Sequence, residues 1–239
     1  MSAEELTPLE TENPMVPGGD LDPDMKEALK EALQDMRGPV EALVFVKDKC
    51  YYCEETKKLL QHFVEASPEV DGRKLFSYRV IHLDKDREEA QKYGINRAPT
   101  VAFIDGYIRY TGIPSGEEIR SLVETIIRLS EGNPGLEDES REKLKQLNKQ
   151  VKVEVIITPS CPYCPYAALM ANMVAFESYL QGKKLVIADT VEAYENPDIA
   201  DKYHVMSVPA IAINETVAFV GLPYEQDFVD KILELSQQG

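Results

Sequence analysis

The chain contains the same pattern twice. Ala42-Leu43-Val44-Phe45-Val46 leads into Cys50-Tyr51-Tyr52-Cys53, and 111 residues later Val153-Glu154-Val155-Ile156-Ile157 leads into Cys161-Pro162-Tyr163-Cys164. Farther on, Tyr93-Gly94-Ile95-Asn96-Arg97-Ala98-Pro99 aligns with Tyr203-His204-Val205-Met206-Ser207-Val208-Pro209 at an offset of 110, and Gly112-Ile113-Pro114 with Gly221-Leu222-Pro223 at 109. Such a small drift fits loop deletions between two copies of one unit. All four cysteines of the 239-residue chain lie in the two Cys-x-x-Cys motifs.

The periodicity around the repeats supplies the elements. The first 22 residues carry Pro14, Pro17, Gly18 and Gly19 and few large apolar groups, which reads as an extended or mobile arm. Asp24 is placed to cap a helix to about Arg37, with Met25, Leu29, Leu33 and Met36 at helical spacing. The order strand, helix, strand, helix, strand, strand, helix follows to about Leu129, with the motif at the first strand-to-helix junction. Glu131-Gly132-Asn133-Pro134-Gly135 marks a boundary. After a polar helix over about 138–148 the same order runs again, with Lys184 to Asp189 as its second strand. The expected organisation is an arm (1–22), a first unit with the Cys-Tyr-Tyr-Cys site (23–132) and a second with the Cys-Pro-Tyr-Cys site (133–239). Each is an α/β unit with a central mixed sheet flanked by helices.

A cysteine opening a helix meets unpaired N–H groups and the positive end of the macrodipole, which favour a thiolate. A second cysteine three positions on can close a disulfide and release a bound partner. Cys50 and Cys161 therefore read as attacking thiols, Cys53 and Cys164 as resolving thiols. Pro162 suits the first turn of its helix. Lys47 and Lys49, partly offset by Asp48, should give Cys50 a charge stabilisation that Cys161 lacks.

Strand, Cys-x-x-Cys, helix, strand, helix and a proline opening a hairpin resemble the thioredoxin fold. Two such units resemble the protein disulfide oxidoreductases of thermophilic prokaryotes, a glutaredoxin-like family. Arg97-Ala98-Pro99 and Thr158-Pro159-Ser160-Cys161-Pro162-Tyr163-Cys164-Pro165 carry the likeness most closely. The resemblance covers about residues 24–239. It implies that Pro99 and Pro209 are cis and pack beside the disulfides, and that the backbone of Ala98 and Val208 binds an extended substrate segment by strand addition. It also implies redox-active disulfides as the only redox groups, protein dithiols and disulfides as substrates, and a flavin-dependent reductase of the thioredoxin-reductase kind as electron partner.

Several departures stand beside it. The chain has no tryptophan, and Lys49 and Ser160 stand before the motifs where thioredoxins carry one. The acid that thioredoxins bury six residues before the first cysteine is replaced by Val44 and Val155. Glu41 and Glu154 read as strand decoration rather than proton relays, and His62, His82 and His204 as structural or surface residues. Gly221-Leu222-Pro223-Tyr224 lacks the Gly-Gly-x-Asp type of segment with which glutaredoxins hold glutathione.

A net charge of −16 disfavours nucleic acid and anionic membrane surfaces. No stretch approaches the roughly 20 apolar residues of a membrane span. The N-terminus lacks the features of a signal peptide, so the cytoplasm is the expected compartment. A four-cysteine zinc or iron–sulfur site is the main alternative, but over a hundred residues separate the pairs, far more than the roughly 15–20 of zinc ribbons. An interaction module with incidental cysteines is the other, and two intact motifs argue against it.

Overall fold

The computed structural model describes residues 11–237. The first unit comprises α1 (Pro23–Leu33), β1 (Val40–Val46), α2 (Tyr51–Ala66), a short ribbon of β2 (Glu69–Val70) and β3 (Arg73–Lys74), β4 (Phe76–His82), α3 (Arg87–Tyr93), β5 (Thr100–Phe103), β6 (Ile108–Thr111) and α4 (Ile119–Glu131). The second comprises α5 (Asp138–Leu144), β7 (Val151–Ile157), α6 (Cys164–Leu180), β8 (Val186–Glu192), α7 (Pro197–Lys202), β9 (Ala210–Ile213), β10 (Thr216–Val220) and α8 (Glu225–Ser236).

The two units share one sheet. Its eight strands run in the order β10-β9-β7-β8-β6-β5-β1-β4. Within the units β1 pairs parallel with β4 and antiparallel with β5, and β7 does the same with β8 and β9. The join is a parallel pairing of β6 with β8, from Ile108 opposite Ala188 to Thr111 opposite Val191. The last strand of one copy thus meets the second strand of the next, a contact no periodicity reveals. One buried cluster follows one face of the sheet across both units and holds all four cysteines. Smaller clusters lie on the other face, one with Phe45, Ile81 and Ala90 and one with Ile156, Ile199 and Tyr203.

Helix α6 shows the effect of the join. An end helix of a separate unit should carry one apolar stripe, yet Ala167, Ala168, Ala171, Val174 and Ala175 are all fully buried, since α6 packs on β7 and β8 and also on α4 of the first unit. Asn172 is buried there and its Nδ2 donates to Tyr110 Oη (2.9 Å) and Thr125 Oγ1 (3.1 Å), which ties α6 to the first unit across the join.

Other ends differ from the sequence reading for local reasons. Asp22, not Asp24, caps α1 by accepting from Met25 N (2.8 Å), with Pro23 in the first turn. The helix stops at Leu33 because Gln34, Asp35 and Met36 bond back only three residues. The same tightening ends α5 at Leu144. Strand β8 runs on to Glu192 because β6 and β7 both pair with it.

The described part of the arm packs against the first unit. Val16 and Leu21 are buried, Gly19 N donates to Glu55 Oε2 (2.8 Å), and Ser115 Oγ donates to Pro17 O (2.7 Å). Gly19 is required there, since a Cβ would lie 1.9 Å from Glu55 O. Residues 1–10 of the arm lie outside the described residues.

Candidate active site

Strand β1 ends at Val46 and the chain turns through Lys49, whose φ is 52°, to set Cys50 as the N-cap of α2. Cys50 Sγ accepts from Cys53 N at 3.1 Å and is bonded to Cys53 Sγ, with the two Cα atoms 5.2 Å apart. In the second unit Cys161 Sγ accepts from Cys164 N at 3.2 Å and the two sulfurs are likewise bonded, with the Cα atoms 5.5 Å apart. The helix there begins at Cys164 rather than at Pro162, which belongs to a preceding turn. Pro165 is the proline of its first turn.

Burial grades the cysteines in the same way twice. Cys50 and Cys161 are 6% and 7% exposed, whereas Cys53 and Cys164 are fully buried. Among the described residues, no group of three or more His, Cys, Asp or Glu side chains converges as metal ligands would.

The Ala98–Pro99 and Val208–Pro209 peptide bonds are both cis. Thr100 opens β5 opposite Phe45, and Ala210 opens β9 opposite Ile156, so each proline comes to the end of the sheet where the preceding strand delivers its cysteine. Pro99 O accepts from Gly112 N (2.9 Å) and Pro209 O from Gly221 N (2.7 Å). Ala98 and Val208 place neither backbone N–H nor C=O in a hydrogen bond among the described residues.

The surroundings of the two sites diverge. At site 1 the arm closes over the motif: Asn13 N donates to Tyr52 Oη (2.7 Å), and Tyr52 is fully buried. Burial pushes the Tyr52 phenol up, against a backbone hydrogen bond from Asn13 that pulls it down. Ile113 and Pro114 are buried. At site 2 the equivalent Leu222 is exposed, as are Tyr163, Tyr166, Tyr224 and Met206, the last at 95%. An apolar cleft of about 920 Å³ runs from Pro159, Pro165 and Tyr166 beside site 2 to Met25 and Leu29 of α1 and Met15 of the arm.

The two acids near the motifs are placed differently, Glu41 in solvent and Glu154 buried. Glu154 is bound by Tyr203 Oη (2.5 Å) and Lys152 Nζ (2.7 Å) on the face opposite the cysteines. Val44 and Val155 are fully buried where thioredoxins keep their acid. His82 Nε2 lies 3.0 Å from Asp48 Oδ1, which also accepts from Lys85 Nζ (3.0 Å), so part of the charge near Cys50 is internally paired.

One set of residues went unread in the sequence. Glu192, Glu195, Asn196 and Asp198 of the second unit reach the proline loop of the first. Glu195 Oε1 accepts from Ile113 N at 2.6 Å, and Asn196 Nδ2 donates to Thr111 O at 3.4 Å. Arg97 donates to Asn196 Oδ1 (3.2 Å) and through both terminal nitrogens to Asp198 (3.0 and 2.5 Å). Aligning the repeats could have flagged them, because Glu192 and Glu195 stand where the first copy has His82 and Lys85.

A family model described as a thioredoxin domain matches residues 40–124 and again residues 151–234. The fold is similar to the crystal structure of a protein disulfide oxidoreductase from Aeropyrum pernix K1, at 50% identity and a TM-score of 0.89, covering 92% of this chain and 95% of that one. A thioredoxin of Methanocaldococcus jannaschii is 36% identical over 83 residues, which is 35% of this chain and 93% of that protein. A component of the alkyl hydroperoxide reductase of Staphylococcus aureus is 25% identical over 215 residues, 89% of this chain but only 38% of its own length. With the domain matched twice and a dithiol motif in each copy, the chain belongs to the thioredoxin-domain family as a tandem pair.

Proposed function

We infer that this protein is a protein dithiol–disulfide oxidoreductase with two redox sites. The observation that carries this reading is the repeated disulfide at a strand-to-helix junction, with one cysteine slightly exposed and one fully buried, and a cis-proline entering the strand beside it. Protein disulfides and dithiols are the substrates.

In the reductive direction the thiolate of Cys50 or Cys161 attacks one sulfur of a substrate disulfide. A mixed disulfide forms and one substrate thiolate leaves. The thiolate of Cys53 or Cys164 then attacks the enzyme sulfur, closing the enzyme disulfide and releasing the second substrate thiol. Two electrons pass from the enzyme dithiol to the substrate, and the reverse sequence oxidises a substrate dithiol. In isomerisation the first step frees a substrate thiolate that attacks another substrate disulfide, and the thiolate released there displaces the enzyme sulfur from the mixed disulfide, so no net electrons pass. The N–H of Cys53 or Cys164 is aimed at the attacking sulfur, where it would stabilise a thiolate. The free backbone groups of Ala98 and Val208, with Pro99 and Pro209 shaping the loops, support docking of an extended segment across the disulfide.

The redox work rests on the disulfides themselves, with electrons exchanged with a flavin-dependent reductase. The partial match to the hydroperoxide reductase component supports such a partnership. The units are taken as residues 23–132 and 133–239 with an arm before them, working in the cytoplasm. Among the described residues no helix is long and apolar enough to cross a membrane.

The test is reduction of insulin with dithiothreitol as electron source, on the intact chain and on chains with either cysteine pair changed to serine. Turnover by the intact chain and loss in the chain lacking all four sulfurs are expected. Full turnover without the sulfurs would overturn the assignment.

A further inference from the structure

Gly112 and Gly221 occupy equivalent places in the two copies, with φ of 94° and 95°. Each donates its N–H to the carbonyl of the cis-proline in its own site. Their surroundings differ sharply. A Cβ on Gly221 would meet nothing within 4 Å, whereas one on Gly112 would lie 2.7 Å from Glu192 Cβ and 2.8 Å from Glu195 Oε1. The second unit is pressed against the proline loop of the first, and no unit stands in that place for the second.

We propose that the segment from Glu192 to Asp198 is a working part of site 1. Glu195 and Asp198 are positioning residues for the loop that carries Ala98 and Pro99, and site 2 has no counterpart to them. The inference rests on the reading of Ala98 as the residue that docks substrate backbone.

Two lines of contact reach that loop. Glu195 takes the N–H of Ile113, and the adjacent Gly112 holds Pro99 O, so the carboxyl fixes the hairpin arm that supports the proline. On the other side the fork of Arg97 is gripped by Asn196 and Asp198, one residue before Ala98. A planar guanidinium bound through two nitrogens fixes direction as well as distance. In the second copy the place of Arg97 is taken by Ser207, which is exposed. At the positions of Glu192 and Glu195 the first copy has His82 and Lys85, which turn to Asp48 at the outer edge of the sheet. The acids are therefore specific to the join.

Glu195 is 5% exposed, and its Oε2 has no hydrogen-bond partner. Burial pushes its carboxyl up to about 8 against the bond to Ile113 N, with Glu192 adding to the rise. Burial likewise takes Glu192 to about 7. Burial thus favours the neutral form of Glu195, in which Oε1 still accepts from Ile113 N. Glutamine keeps that shape and that acceptor, which makes Glu195→Gln the conservative control.

The experiment uses the full chain with one site silenced at a time. Cys161→Ser with Cys164→Ser leaves site 1, and Cys50→Ser with Cys53→Ser leaves site 2. In the site 1 enzyme Glu195→Ala should raise KM for insulin about tenfold, the effect of leaving a buried N–H unpaired, with kcat held within about twofold. Asp198→Ala should raise it about threefold, and Glu195→Gln should leave it near the parent value. In the site 2 enzyme all three should leave KM unchanged. Asp198 is 63% exposed, so its variant keeps the test open if Glu195→Ala does not fold. An unchanged KM at site 1, or an equal rise at both sites, would overturn the inference. If neither the intact chain nor a single-site enzyme reduces insulin, the dithiol reading fails and takes this inference with it. If both reduce insulin and no KM separates them, only this inference fails.

Discussion

At the residue scale, chemistry follows from which sulfur a partner can reach. Cys53 and Cys164 are fully buried, so a substrate disulfide meets Cys50 or Cys161 first. Cys53→Ala and Cys164→Ala should accumulate mixed disulfides with a protein substrate, seen as a slower band on a non-reducing gel. Cys50→Ala and Cys161→Ala should give none at the altered site. Trapping by the second pair of variants instead would reverse the roles. The buried carboxyls predict a pH dependence of stability. Burial takes Glu118 and Glu192 to about 7 and Glu195 to about 8, from an ordinary value of 4.5. In the fold these groups keep protons that the unfolded chain has released, so their contribution is complete below about pH 4.5 and lost as pH rises through 7 to 8. Thermal unfolding should therefore occur at lower temperature at about pH 9 than at about pH 6, and Glu→Gln at any of the three should flatten that slope. A slope of the opposite sign would count against the buried placement of these acids. Aligning the repeats marks Glu192 and Glu195 as different from the first copy, but not as buried, because an acid at a strand end or in a turn looks the same in sequence whether water or a second unit covers it.

At the element scale, equivalent pieces of the two copies diverge according to what they touch. Helix α2 is amphipathic, as its pattern predicts, while α6 is buried nearly all round because α4 covers its far side. The glycines after β6 and β10 give a sharper case. Gly221→Ala should cost about 1–2 kcal/mol from the left-handed backbone alone. Gly112→Ala adds an overlap with Glu192 and Glu195 and should cost roughly 2–5 kcal/mol in all. Guanidinium unfolding monitored by circular dichroism would compare them, and equal losses would contradict the close contact. The paired glycines were legible as repeats, but the difference between them was not.

At the scale of the whole molecule, the parallel join of β6 to β8 makes one sheet and one main core out of two copies. Unfolding one unit would strip the partner from an interior strand and expose α6, so the chain should unfold in denaturant as a single cooperative transition. The chain has no tryptophan, so far-ultraviolet circular dichroism and tyrosine fluorescence are the suitable probes. Two separated transitions would show that the join is weak. The outer edges are not built to repeat the join. Strand β10, the counterpart of β6, carries a bulge between Val217 and Phe219, and β4, the counterpart of β8, presents Arg79 paired with Glu89. Bulges and edge charges both hinder the addition of a further strand.

The sequence by itself determined the duplicated unit, the place of each Cys-x-x-Cys motif at a strand-to-helix junction and the alignment of Pro99 with Pro209, whose cis bonds only the family resemblance implied. These are local facts, set by hydrophobic period, repeat spacing and the chemistry of a helix end. Tertiary structure alone decided that the two sheets fuse, that the arm packs over Tyr52, and that Glu195 and Asp198 bond the loops around Pro99 while the loop around Pro209 has no such partner among the described residues. Strand edges and buried acids gain their meaning from partners about a hundred residues away, and pairing at that distance leaves no period in the chain.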